Sequence, residues 1–171
     1  YADAVKYVCE NGFMKGISET AFGPDRTTTR AMAVTMLYRL EGEPDAAASG
    51  FADVPADAYY ADAVAWAQAN DIVNGVSETA FAPDDPVTRE QMAAVLYRYA
   101  SYKGSDVTAP GSLAGYTDAP QISAYAADAM GWANAAGLIT GNTGTTLNPR
   151  GNATRAEVAT ILMRFCEDIV R

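Results

Sequence analysis

The 171-residue sequence contains no histidine, which removes the side chain that most often serves as a general base or as a transition-metal ligand. It has only two cysteines, Cys9 and Cys166, and they are too far apart in sequence to form the closely spaced pairs of a zinc site. Carboxylates remain available for chemistry, since Asp and Glu together number 21. The composition therefore disfavours an enzyme, and we expect neither a metal nor a cofactor.

Long apolar runs are also missing, because no stretch approaches the ~20 residues of a membrane-spanning helix. Basic residues number 12 against 21 acidic ones, and the resulting net charge of -9 disfavours general binding to nucleic acid or anionic lipid. A local basic site could still hold an anionic ligand. With 49% hydrophobic and 19% charged residues, the composition is that of a globular protein. The chain starts at Tyr1 inside a predicted helix, without a signal-peptide pattern, and we expect it to be a fragment of a longer protein.

What the sequence does contain is an internal repeat. The segment GISETAF at 16–22 returns as GVSETAF at 75–81, and the surrounding residues align without gaps. In each of three copies an arginine follows a threonine directly, a proline by six positions and a glycine by fourteen. These arginines are Arg30, Arg89 and Arg155.

Two segments rich in Gly, Pro, Ser and Ala, at 41–50 and 101–115, have the composition of linkers. The second and third copies open with an aromatic-x-Asp motif that ends at Asp53 and Asp118, whereas the chain begins too late for the first copy to carry one. We therefore predict three repeats, at 1–49, at 50–115 including the linker, and at 116–171.

Each repeat is predicted to form a helix, a loop and a second helix. In the second repeat an Ala-rich stretch at about 60–70 favours the first helix, and Gly75 suits a positive-φ position behind it. The second helix shows apolar residues at i, i+3, i+4 and i+7 in every repeat. They are Ala33, Met36, Leu37 and Leu40; Met92, Val95, Leu96 and Tyr99; and Val158, Ile161, Leu162 and Phe165. One helix pair cannot bury such a stripe alone, so we predict an all-α fold in which the three repeats pack with pseudo-threefold symmetry.

The threonine before each arginine is a suitable helix cap. Gln91 and Glu157, three residues after Thr88 and Thr154, can complete a capping box, whereas the first repeat has Met32 at this position. The arginine then occupies the first helical position, where the helix dipole favours Asp or Glu by ~0.3–1 kcal/mol. Two explanations stay open: an ion pair with a nearby carboxylate, such as the opening aspartate, or an anion site that combines the guanidinium with free helix N–H groups.

A second set of arginines lies nine residues further along, at Arg39, Arg98 and Arg164. They fall near helix C-termini, where the dipole favours a cation. We assign them no function.

The two cysteines are placed on elements that a closed arrangement would bring together. Cys9 lies on the first helix and Cys166 near the end of the last one. We predict that both are buried and near each other. Two free thiols are expected, with a disulfide as the alternative that sequence does not decide.

Several motifs of the second repeat together resemble the S-layer homology repeat. They are Phe51-x-Asp53-Val54, Tyr59-Tyr60, Gly75, Phe81-x-Pro83 and Val87-Thr88-Arg89-Glu90. That family reads F-x-D-V, an aromatic pair, G, F-x-P and I-T-R-A-E, usually in three tandem copies, and the resemblance covers nearly the whole chain. It implies a three-pronged helical spindle with ligand grooves between repeats. It also implies a non-catalytic module that anchors a surface protein outside the cell, at the cell wall or S-layer.

The resemblance further implies a ligand, namely secondary cell-wall polysaccharide with a pyruvylated N-acetylmannosamine end, held non-covalently. It implies a monomeric module of a larger protein. It implies neither binding to nucleic acid nor insertion into a membrane. The ligand-binding positions carried over from the family are Arg30, Arg89, Arg155, Asp53, Asp118, Tyr59 and Tyr125. For the two tyrosines, stacking on a sugar face is the alternative to the core position that we expect.

Departures from the family pattern make some of these positions better candidates for ligand binding than others. The first repeat lacks the opening motif and has Met32 in place of the glutamate, and the third has Leu147 where the others have phenylalanine. We therefore place Arg89 and Arg155 above Arg30 as glycan-binding residues.

Other functional classes were weighed against this one. A protein-interaction or self-assembly module is the main alternative, and an exposed apolar patch would favour it. A glycan-cleaving enzyme would need two carboxylates with distinct roles, and nothing in the sequence singles out such a pair. The acidic loops also lack the spacing of an EF-hand calcium site.

Overall fold

Six α-helices are present in the residues that the computed structural model describes, which are 1–108, 111–141 and 143–170. They are α1 (Ala2–Glu10), α2 (Arg30–Leu40), α3 (Ala61–Ala69), α4 (Arg89–Tyr102), α5 (Ala127–Ala135) and α6 (Arg155–Asp168). Two 3₁₀ turns, Ala119–Gln121 and Ala124–Ala126, precede α5. Over these ranges β-structure is limited to isolated bridges. The predicted all-α class is confirmed.

The second helix of each repeat begins where the threonine cap predicts. Thr88 and Thr154 both form complete capping boxes, with Gln91 and Glu157 as the reciprocal partners. In the first repeat only the Thr29 hydroxyl acts, as an acceptor from the Met32 amide. All of the predicted apolar positions on these helices are buried except Leu40, which is half-buried.

The helices pair across repeat boundaries. The second helix of each repeat packs against the first helix of the next, in the pairs α2–α3 and α4–α5, and α6 returns to pack on α1. A short amphipathic helix cannot bury its apolar face alone, so each repeat completes its core with a helix of its neighbour. The three repeats therefore form one connected core rather than independent units.

A ring of backbone hydrogen bonds joins the three repeats at the residue before each threonine cap. The amide of Thr28 donates to the Ala153 carbonyl at 2.9 Å, that of Ala153 to the Val87 carbonyl at 2.9 Å, and that of Val87 to the Thr28 carbonyl at 2.8 Å. Each bond is of ordinary strong geometry, and all three residues are buried. The repeats thus follow one another in a closed cyclic order, while a rotation near a threefold remains a prediction.

The glycine shared by all three repeats is required by close contacts more than by backbone conformation. Only Gly75 has the predicted positive φ, at +74°, and neither Gly16 nor Gly141 does. A Cβ at Gly75 would lie 2.5 Å from the ring of Phe51, and one at Gly141 would lie 2.9 Å from the ring of Tyr116. The opening aromatic of the repeat packs directly against this glycine, so any side chain here would displace it.

The prediction that both cysteines are buried is wrong. Cys9 is exposed, Cys166 is half-buried, and both are free thiols. The pairing of α1 with α6 does bring the first and last repeats together, as expected. However, α1 buries only Ala4 and Val8, and the residue after Val8 lies about 100° further round the helix, on its solvent side.

We expect the two thiols to react at different rates. A bulky maleimide should label Cys9 rapidly in the native protein and Cys166 slowly, because burial raises the pKa of the Cys166 thiol and limits access to it. Cys9→Ser and Cys166→Ser variants separate the two rates by mass spectrometry. Equal rates in the folded protein would contradict this assignment.

A second expectation concerns the hydroxyl of Thr28, which is buried without a hydrogen-bond partner among the described residues. Thr28→Val should raise the free energy of unfolding by ~1 kcal/mol, since it removes an unpaired buried hydroxyl and keeps the side-chain shape. The equivalent residue of the second repeat is already valine, Val87. Urea denaturation measures the change.

The matched control is Thr35→Val. Thr35 is also buried, but its hydroxyl donates to the Ala31 carbonyl at 2.7 Å. No comparable gain is expected there. A Thr28→Val protein no more stable than the Thr35→Val protein would show that the Thr28 hydroxyl carries no penalty.

Candidate functional site

Three grooves lie between the repeats, and each draws its lining from all three of them. Each combines the arginine that starts one second helix, the loop and second helix of the next repeat, and a tyrosine of the remaining one. We name each groove by its arginine. The lining includes Arg30, Asn74, Gln91, Arg98 and Tyr125 in the Arg30 groove; Arg89, Thr140, Glu157, Arg164 and Tyr1 in the Arg89 groove; and Arg155, Lys15, Met32, Arg39 and Tyr59 in the Arg155 groove.

The grooves differ in size. Their volumes are about 440 Å³ for the Arg30 groove, about 250 Å³ for the Arg89 groove and about 40 Å³ for the Arg155 groove. A further hollow of about 380 Å³ adjoins the last of these and is lined by Ile17, Arg26 and Thr27 as well as by Met32 and Arg155. The Arg155 groove therefore has the smallest volume of the three, and Met32 and Arg155 line both this groove and the adjoining hollow.

Each groove arginine is fixed by a carbonyl of the next repeat. Nε of Arg30 donates to the Phe81 carbonyl at 2.8 Å, and Nε of Arg89 donates to that of Leu147 at 2.8 Å. Nε of Arg155 donates to the Phe22 carbonyl at 2.9 Å, which closes the cycle. The guanidinium carbons of Arg30 and Arg155 also lie 4.8 and 4.5 Å from the ring centroids of those phenylalanines.

Of the two explanations left open for these arginines, the one that uses free helix N–H groups is wrong. The Arg30 amide donates to the Asp85 carbonyl at 2.9 Å and the Ala31 amide to the Pro83 carbonyl at 3.0 Å. The equivalent amides of α4 and α6 donate in the same way to loops of the third and first repeats. These carbonyls satisfy the first N–H groups of each helix, so an incoming anion would find only side chains.

The guanidinium groups differ in how many of their donors are already used. Arg89 is only 4% exposed; its Nη1 lies 2.9 Å from the Glu157 carboxylate and its Nη2 donates to the Thr140 carbonyl at 2.9 Å. An ion pair therefore does compensate this arginine, but its partner is Glu157 rather than the opening aspartate Asp118.

Arg30 and Arg155 are less completely paired. Nη2 of Arg155 donates to the Lys15 carbonyl, and this arginine is 6% exposed. Arg30 is half-buried, and among the described residues neither of its Nη atoms has a hydrogen-bond partner. Burial lowers the pKa of the Arg30 guanidinium, although Tyr125, Asp85 and Asp53 act in the opposite direction. The guanidinium of Arg30 is thus partly desolvated, and its Nη atoms can still donate hydrogen bonds.

The two predicted aspartates point at their own loops. The Asp53 carboxylate accepts from the amides of Phe81 at 2.8 Å and Ala82 at 2.7 Å. Burial opposes its ionisation, but these hydrogen bonds together with Arg30 outweigh burial and lower the pKa of Asp53. Asp53 thus fixes the N–H side of Phe81, whose carbonyl accepts from Arg30.

Asp118 repeats this arrangement in the third repeat. Its carboxylate accepts from the amides of Leu147 at 2.9 Å and Asn148 at 2.7 Å. The Leu147 carbonyl in turn accepts from Arg89. Asp53 and Asp118 are not among the described residues that line these grooves, and each is joined to the groove arginine by hydrogen bonds through one loop residue.

The expectation that the two tyrosines lie in the core is wrong. Tyr59 is 65% exposed and Tyr125 is 55% exposed, and they line the Arg155 and Arg30 grooves respectively. Tyr59 lies before α3 and Tyr125 lies before α5. Neither residue therefore belongs to the apolar face that its helix buries in the core. Burial raises the pKa of the Tyr125 hydroxyl and Glu90 adds to this, while the charge of Arg30 opposes it.

Tyr125 is held in place by a buried glutamate. Glu90, 4% exposed, accepts from both the amide and the hydroxyl of Ser123, at 2.9 and 2.7 Å. Ser123 lies two residues before Tyr125. Glu90, which stands where the family motif has alanine, thus fixes the segment that carries the groove tyrosine.

Sequence reasoning missed the second set of arginines. Arg39, Arg98 and Arg164 each line a groove and donate to a carbonyl that follows the first helix of their own repeat, at 3.2, 3.5 and 3.1 Å. Nine residues amount to two and a half helical turns, so each faces away from the first arginine of its own helix. Each of these arginines lines the same groove as the first arginine of the preceding repeat. An alignment of the repeats with one another does not show this relation.

The described part of the chain offers neither a cluster of metal ligands nor a membrane-spanning helix. No cluster of three or more potential metal ligands occurs there. None of its helices is long and apolar enough to cross a bilayer.

Comparison with known proteins places this geometry in a family. The model described as the S-layer homology domain matches residues 1–33, 50–93 and 115–159, one match in each repeat. The chain is 34% identical to a surface-layer 125 kDa protein of Lysinibacillus sphaericus over 98% of its own length, and 31% identical to an amylopullulanase of Thermoanaerobacterium thermosulfurigenes over 96%. It is also 41% identical to a cell surface protein of Thermoanaerobacter kivui over 44% of its length.

The match covers only a small part of each relative. The chain spans 14% of the surface-layer protein and 9% of the amylopullulanase. The enzyme names therefore belong to multidomain proteins in which this module is a minor part, and the module itself is non-catalytic. Three family matches in a cyclic helical arrangement leave one assignment: the chain belongs to the S-layer homology domain family and is a cell-wall anchoring module that acts outside the cell, at the wall or S-layer.

Proposed function

We propose that the module holds its parent protein at the wall by binding an acidic secondary cell-wall polysaccharide, carrying a pyruvyl group, in the grooves between repeats. The observation that carries this proposal is the Arg30 groove. It combines a half-buried guanidinium with unpaired donors, the further arginine Arg98 and the exposed ring of Tyr125.

The chemistry of these groups fits a carboxylate on a sugar. A pyruvyl ketal presents a planar carboxylate, which a guanidinium binds through two parallel hydrogen bonds. Both Nη atoms of Arg30 are available for this. Burial has lowered the pKa of Arg30, so its charge is poorly solvated in the free protein, and a bound anion would offset that cost.

The remaining lining fits the neutral part of such a ligand. The exposed Tyr125 ring offers an apolar face to a sugar ring. Asn74 and Gln91 bring amide groups to the same groove, where they can hydrogen-bond to hydroxyl or acetamido groups. The binding is non-covalent throughout.

The Arg155 groove is proposed as a second and smaller site, with Tyr59 as its aromatic side. No acidic residue occurs among the described residues of its lining. Burial lowers the pKa of the Arg155 guanidinium, and the like charge of the neighbouring Arg26 lowers it further. An anion placed there would relieve like-charge repulsion. Arg89 is proposed to act mainly as a structural contact between repeats, and Asp53 and Asp118 to position the loops that hold the arginines.

We also propose that the module acts as a monomer within its parent. The return of α6 onto α1 completes the third helix pair within a single chain, so no helix needs a partner from a second copy.

The first test is Arg30→Ala. We expect its affinity for purified wall sacculi to fall by about 10- to 100-fold, because a charge-assisted contact of ~1.5–3 kcal/mol is lost. Arg30→Lys should fall by a similar factor, since an ammonium cannot reproduce two parallel hydrogen bonds. Co-sedimentation with sacculi measures both, and thermal melting verifies that the variants are folded.

The matched control is Arg150→Ala, which removes a charge from an exposed loop residue that lines none of the grooves. It should bind as the unaltered chain does. Sacculi stripped of their polysaccharide by acid provide the second control. A folded Arg30→Ala protein that binds intact sacculi at full affinity would overturn the role given to Arg30.

The second test separates stacking from hydrogen bonding at Tyr125. Tyr125→Ala should weaken sacculus binding about tenfold, whereas Tyr125→Phe should bind nearly as well as the unaltered chain, because the ring face is kept. The side chain is exposed, so the melting temperature should hardly change in either variant. Equal binding by all three proteins would exclude a stacking role.

A further inference from the structure

The three grooves share their architecture, and one position of their lining carries an apolar side chain, an amide or a carboxylate according to the groove. This is the third residue of each second helix, Met32, Gln91 or Glu157, which faces the groove arginine of the preceding repeat. From the contacts of this residue, and on the basis of the proposed function, we infer that it selects which groove accepts an acidic sugar. Gln91 leaves the Arg30 groove open to a carboxylate, and Glu157 closes the Arg89 groove to one.

The Arg89 groove already contains its own carboxylate. One oxygen of Glu157 lies 2.9 Å from Nη1 of Arg89, and the other accepts from the Thr154 amide at 2.8 Å. Both oxygens are thus fixed, one by the ion pair and one by the helix cap. Nε and Nη2 of Arg89 donate to loop carbonyls, so each of the three guanidinium nitrogens already has a partner.

A ligand carboxylate entering the Arg89 groove would meet two penalties. It would have to displace Glu157 from Arg89, which leaves a partly buried pair broken. The ligand carboxylate would then lie beside the displaced carboxylate of Glu157. Two like charges that are close together repel strongly in a poorly solvated groove. A neutral part of a glycan faces neither penalty.

Gln91 performs the same structural task without the charge. Its side-chain oxygen accepts from the Thr88 amide at 3.0 Å, as that of Glu157 does at Thr154. Its NH₂ group is a donor that can serve a ligand carboxylate beside Arg30. Because glutamine and glutamate both complete the capping box, exchanging them changes the charge of the groove while the helix cap is kept.

The test exchanges the two residues. Gln91→Glu should reduce the affinity of the chain for the methyl glycoside of pyruvylated N-acetylmannosamine at least tenfold, since a carboxylate now pairs with Arg30. Glu157→Gln should create an additional site, seen as a higher stoichiometry by isothermal titration calorimetry. In the Gln91→Glu/Glu157→Gln double variant, binding should depend on Arg89 and no longer on Arg30.

A control variant and a second ligand keep the outcomes separate. Gln121→Glu adds the same charge at an exposed residue outside the grooves and should bind normally. If Gln91→Glu binds like the unaltered chain, or if Glu157→Gln loses binding, the inference is wrong. If instead the unaltered chain binds stripped and intact sacculi equally well, the proposed function fails and not merely the choice of groove.

Discussion

The ring of three backbone hydrogen bonds through Thr28, Val87 and Ala153 is the constraint on which the module depends. It brings the starts of the three second helices together at the centre of the molecule. Each helix then lies beside a loop of the next repeat, whose carbonyls satisfy its first amides and its arginine. The ring, the carbonyl partners of the arginines and the grooves thus all lie at the same junctions between repeats.

In the proposed function the groove arginines serve both the fold and the ligand. Their Nε atoms join neighbouring repeats, and whatever donors remain on the Nη atoms face the groove. An aspartate at the opening of the repeat stiffens the same contact from the far side of the loop, as Asp53 does for Arg30. In the proposed function, ligand binding and inter-repeat packing therefore share one set of side chains.

Local features of this fold could be predicted from the sequence, and relations between repeats could not. The caps at Thr88 and Thr154 and the buried stripe of α4 depend on residues a few positions apart, and the sequence shows both. The exposure of Tyr59 and the position of Arg98 depend on which repeat faces which. Each second helix packs against a helix of the next repeat. An alignment of the repeats therefore does not show which residues of different repeats are in contact.

The capping residue of α4 and α6 has a consequence for how such modules diverge. Exchanging a side-chain amide for a carboxylate replaces one nitrogen by one oxygen, and both groups accept from the same helix amide. After a repeat is duplicated, a mutation at this position can therefore change the charge of one groove while the capping box is kept. Under the proposed function, three copies of a single motif can in this way come to bind different sugars, and a module built by repetition gains sites of different specificity.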